Sequence, residues 1–155
     1  MHLRLSSAVI ALTFVACADD GQDDAASLLF PLDFANSYKV VRDCRGTVDH
    51  GFGSKITVAI NPAAQSAYVE GTYPLPLGTT LVKTIYDDDG SGGCSTITGY
   101  TVMKKIRATT GDASADDWAW QETDAAGKPL AIVVGKCTSC HTSCTDGRDL
   151  TCTDP

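Results

Sequence analysis

Between residues 55 and 60 the chain reads Lys-Ile-Thr-Val-Ala-Ile, β-branched apolar residues alternating with small or polar ones, and Asn61-Pro62 stops the run. A period of two with branched side chains fits a pleated, half-buried surface, so 55–60 predicts a strand. Pro62 suits the first helical position, and Ala63, Ala64, Ala67 and Tyr68 carry a helical spacing up to Gly71. Two further β-rich runs, 78–86 and 99–107, flank the turn-forming stretch 87–93, and 118–121 (Trp-Ala-Trp-Gln) reads as another short strand. Residues 38–41 form a short apolar run ahead of them, and no internal repeat is visible. One helix followed by consecutive strands predicts an α+β fold: a small twisted antiparallel sheet with flanking helices, the segment from about Pro129 adding a helix and loop.

Composition narrows the setting. The 155 residues carry 12 Lys+Arg against 19 Asp+Glu, and no basic cluster exceeds Lys104-Lys105, so the footprint that holds nucleic-acid phosphates is missing. Residues 1–16 run from Arg4 through an apolar stretch to Ala16, directly before Cys17. That order predicts an export signal of lipoprotein type, with Cys17 lipidated and the chain held on the periplasmic side of a bacterial membrane through that anchor alone. An ordinary cleaved signal is the other reading. Residues 17–27, with Asp19, Asp20, Asp23 and Asp24, then form a flexible acidic tether, and residues 28–155 the domain.

Seven Cys is a high count, and one group of them carries chemistry: Cys137-Thr138-Ser139-Cys140-His141. In Cys-x-x-Cys-His two thiols add to the haem vinyl groups and the adjacent imidazole becomes the proximal iron ligand. With 7 Cys and 3 His in the chain, chance would produce roughly 0.006 such pentapeptides. The alternative is a disulfide-rich exported domain with an idle surface His. Fourteen residues follow His141 and none is Met or His, so a sixth ligand would have to come from upstream, from His50, Met103 or a Lys. Met103 reads better as a strand core residue, which leaves an open iron able to bind or activate small ligands.

The order of these elements resembles the cytochrome P-460 and cytochrome c′-beta family of periplasmic monohaem proteins. Four stretches carry the likeness: 57–62 leading into an Ala-rich helix, 78–83 (Gly-Thr-Thr-Leu-Val-Lys) leading to Ile85-Tyr86, 99–103 (Gly-Tyr-Thr-Val-Met), and Asp117-Trp118 ahead of the C-terminal Cys-x-x-Cys-His. The resemblance implies one covalently attached haem c in a twisted antiparallel sheet fold, usually dimeric. It also implies oxidation of hydroxylamine or nitric oxide with electrons passed to an acceptor cytochrome, or else non-catalytic nitric oxide binding. A plain electron carrier is a third reading. In hydroxylamine-oxidising members a strand Lys is joined to the haem ring, and Lys83 stands at that position; without such a bond it is a solvated strand Lys. Those enzymes carry a distal Arg where this chain has Ile56, with Lys55 beside it.

His50, at a turn before the first strand, is either a proton donor to the distal pocket or a surface residue. Trp118 and Trp120 share a strand face and read as packing the core or the haem edge. Asp87, Asp88 and Asp89 read as a solvated turn rather than a calcium loop. Setting aside Cys17, Cys137 and Cys140 leaves four Cys, an even number, and neighbourhood favours Cys144 with Cys152 and Cys44 with Cys94.

Overall fold

A computed structural model describes residues 27–47, 50, 54–87, 90, 92–144 and 148–152. The export-signal segment, Cys17 and the tether up to residue 26 lie outside the described residues, as do Asp88 and Asp89. The elements are β1 (Lys39–Gly46), β2 (Lys55–Ile60), α1 (Pro62–Val69), β3 (Thr80–Tyr86), β4 (Ile97–Lys105), β5 (Trp118–Asp124) and α2 (Val134–His141). The five strands form one sheet in sequence order, and every neighbouring pair is antiparallel. The α+β reading holds at this level. Among the described residues no helix is long and apolar enough to cross a membrane.

Strand β2 has the bounds its alternation predicts. Helix α1 starts at Pro62 and is closed by Gly71, whose φ of 67° lets the Thr72 N–H reach back to the Ala67 carbonyl at 2.8 Å. That bond satisfies a carbonyl the helix end would otherwise leave unpaired. Asn61 joins helix to sheet, since its amide donates to the Gly78 carbonyl and its Oδ1 accepts the Thr80 N–H. Four strands differ from the sequence pattern, β3 by starting at Thr80 rather than 78. β1 runs on to Gly46 through polar residues, β5 runs on to Asp124, and β4 lies two residues earlier than 99–107. β1 and β5 are edge strands with one pairing partner each, so neither needs the apolar content of a central strand.

Register sorts the side chains into two faces. Ile60, Leu81, Met103 and Trp120 form one cross-strand row, and Val58, Lys83, Thr101 and Glu122 form the next row on the same face. That face packs under α1 as a cluster containing Ile56, Val58, Ile60, Tyr68, Leu81, Met103 and Trp118. The opposite face carries Ala59, Val82 and Val102 against Phe30 and Phe34 of the N-terminal segment, and there Gln121 accepts the Leu29 N–H. Gly99 is required where β4 and β5 approach, because a Cβ there would sit 2.4 Å from the Thr123 carbonyl oxygen.

Two disulfides close the domain, Cys44–Cys94 and Cys144–Cys152, with Cα separations of 5.7 and 5.1 Å. Both are the pairs that neighbourhood favoured.

Candidate functional site

In a helix, positions i, i+3 and i+4 lie on one face. Because 137–141 is helical, Cys137, Cys140 and His141 share a face of α2, and all three line a cavity of about 410 Å³ between that helix and the sheet. Both cysteines are free thiols. The cavity's other wall is the row Val58, Lys83, Thr101 and Glu122, with Met103 and Trp120 from the row beside it.

His141 is held on two sides. Its Nδ1 lies 2.8 Å from the Leu150 carbonyl, an acceptor only, so Nδ1 carries the hydrogen and a neutral ring keeps its lone pair on Nε2. Trp120 packs edge-on against the ring, with centroids 4.8 Å apart. Burial pushes the His141 pKa down; the Leu150 hydrogen bond opposes this and the nearby Lys83 charge adds to it. The shift favours the neutral imidazole, the form a metal requires.

Lys83 and His50 meet at the cavity, with Nζ and Nε2 2.7 Å apart, so a Lys83 ammonium donates to a neutral His50. Sequence reasoning named both residues and missed that they bond to each other. Ile56 is buried in the core under the cavity face, and alternation sends Lys55 to the opposite face, so neither replaces a distal Arg. Trp118 is buried in the core, and Trp120 packs against the same core while also lining the cavity.

The chain matches no protein-family model and no curated protein.

Two other chemistries are disfavoured by the site itself. The Cys137 thiol is pushed up, first by burial and then by the Glu122 carboxylate, whereas dithiol redox catalysis relies on a lowered thiol pKa. His141, Cys144 and Cys152 bring ligand atoms within 4.8 Å of one another, but the two sulfurs are bonded to each other and offer no thiolate to a metal.

The residues fit a covalently held haem. A cavity of about 410 Å³ falls within the range of small-molecule sites. Helix α2 has eight residues, none of them fully buried, and meets the sheet through His141 against Trp120, which is thin packing for so short a helix. A planar apolar group between α2 and the sheet would add to that packing. Glu122, Thr101 and the Leu150 carbonyl were not legible in the sequence; the first two follow from register with Lys83 once the strands are paired, and the third has no local signal.

Proposed function

We propose that the chain is a c-type haem protein of the cytochrome P-460 type that oxidises a small nitrogen compound, hydroxylamine or nitric oxide. The observation that carries this reading is the convergence on one cavity of two free helical thiols, an imidazole with Nδ1 already tied, and Lys83 bonded to His50. Haem, when bound, would supply a redox-active iron able to bind and oxidise a small ligand.

Cys137 and Cys140 would hold the group through thioethers, and His141 would offer Nε2 to its iron. The Leu150 carbonyl fixes the ring's orientation and raises its basicity, as outer-shell acceptors do for ligating histidines. Lys83 and His50 share a hydrogen bond through which a proton can be held at Nζ or Nε2, and oxidising an N–H or O–H bond releases protons that need such an acceptor. That polar pair is why catalysis is preferred here over inert gas capture. The periplasmic, lipid-anchored setting suits this chemistry, because thioether haem attachment and two disulfides both belong to an exported, oxidising environment. A redox-partner cytochrome would accept the electrons, and a homodimer is part of the same proposal.

Steady hydroxylamine oxidation with an artificial electron acceptor, by protein matured in a host that attaches c-type haem, tests the reading. Nitric oxide binding without turnover would favour a sensor or sink instead. A strong-field, six-coordinate resting spectrum would favour an electron carrier.

A further inference from the structure

The carbonyl that orients His141 belongs to an unusual piece of backbone. Asp149 and Leu150 have φ of 55° and 64°, two consecutive non-glycine residues in the left-handed region. Side chains disfavour that conformation, and it persists only where surroundings over-determine it. Here they do. The Asp149 carboxylate is buried, pairs with the buried Lys105 ammonium and accepts the Leu75 N–H at 2.8 Å. Lys105 also donates to Thr109 Oγ1 at 2.7 Å, and that hydroxyl stands between two carboxylates, 3.0 Å from Asp117 Oδ2 and 3.3 Å from Asp149 Oδ1. The Cys144–Cys152 disulfide closes the same loop from its other side.

We propose that Asp149 is the positioning residue of His141: locked by Lys105, Thr109 and the Leu75 amide, it holds the 149–150 turn so that the Leu150 carbonyl meets Nδ1. Neither Lys105 nor Asp149 lines the cavity. Its effect on His141 passes through one backbone carbonyl. This inference rests on His141 being the iron ligand only for its consequence at the metal; the positioning itself is a property of the haem-free chain.

Asp149→Asn is the direct test, because Asn tolerates the left-handed region and keeps an acceptor for Leu75 while removing the charge. Nitrogen-15 NMR of the haem-free protein reads the His141 tautomer, and resonance Raman of the ferrous haem-loaded protein reads the iron–histidine stretch. In the folded variant we expect the single Nδ1–H tautomer to give way to a mixture, and the stretch to move to lower frequency. An unchanged tautomer overturns the inference. Thr109→Val removes the hydroxyl that accepts from Lys105 and bridges Asp149 and Asp117, and Asp117→Asn is the control for the Asp117 contact; if Asp149→Asn does not fold, a smaller shift in the same direction with Thr109→Val but not with Asp117→Asn supports the proposal, and no shift, or the same shift in both, overturns it. A wild-type chain that takes up no haem would sink the haem reading, while the haem-free tautomer measurement would still decide the role of Asp149.

Discussion

Removing one partner of the Lys105–Asp149 pair should be among the costliest single changes in the domain. Both side chains are almost fully buried, at 0% and 1% exposure. Lys105→Met leaves the Asp149 carboxylate with only the Leu75 N–H and the Thr109 hydroxyl. Stripping a buried charge of its counter-ion costs about 3–5 kcal/mol, against a total domain stability of about 5–15 kcal/mol. At roughly 3–6 °C per kcal/mol for a domain of this size, the melting temperature should fall by about 9–30 °C. Asp149→Asn strands the Lys105 ammonium among Thr109, the introduced amide oxygen and the Trp118 ring, whose centroid lies 5.4 Å from Nζ, and should cost a similar amount. The double variant buries no charge and keeps an acceptor for Leu75, so it should return to within about 1–2 kcal/mol of the parent. Urea unfolding of all four proteins with disulfides intact gives the coupling energy directly. Additive losses, or single losses below about 1 kcal/mol, would refute the reasoning that the pair's value lies in mutual compensation.

Three further outcomes are expected. Lys83→Ala should abolish hydroxylamine oxidation and leave nitric oxide binding intact, and if Lys83 is joined to the ring the ferrous absorption should return from a red-shifted position to that of an ordinary c-type haem; unchanged turnover would exclude Lys83 from catalysis. The His141 pKa is lowered in the folded chain, so below the ordinary value near 6.5 the unfolded chain binds a proton that the folded one does not. Stability of the haem-free protein should therefore fall as pH drops from about 7 through 6, by at most about 1.4 kcal/mol per unit from this group, and His141→Phe should flatten that slope in pH-dependent urea melts. Replacing Cys44 and Cys94 together by Ala, which opens a loop with a sequence separation of 50, should cost up to about 4 kcal/mol by chain entropy, read as a lower urea midpoint.

What the sequence revealed and what it hid follow a physical division. Strand β2 and helix α1 were legible because each carries a local period and a local stop signal, Asn61-Pro62 for one and Gly71 for the other. The same holds for the Cys137, Cys140 and His141 constellation, whose chemistry is encoded in spacing. β1 was legible only at its apolar start. Beyond Val41 its residues are Arg42, Asp43, Cys44, Arg45 and Gly46, and they are strand because β2 offers a pairing edge, across two register shifts, and Cys44 is tied to Cys94. Gly99 reads as the start of an element, yet it sits inside β4 because only a residue without a Cβ fits against Thr123. Nothing local connects Lys105 to Asp149, 44 positions apart, and either alone reads as a surface charge. The bond between His50 and Lys83 is of the same kind, a contact created by the fold between residues that separately look solvated.

The central claim is that Cys137 and Cys140 hold a haem against His141. Its most direct measurement is the intact mass and absorption spectrum of the full chain, purified from a host with the c-type maturation system and extracted with acid-acetone. The account predicts one haem mass that survives extraction, disappears when Cys137 and Cys140 are both replaced by Ala, and accompanies the spectrum of an iron lacking a strong-field sixth ligand. A protein that emerges without covalent haem, its two thiols free or bridged to each other, would contradict it.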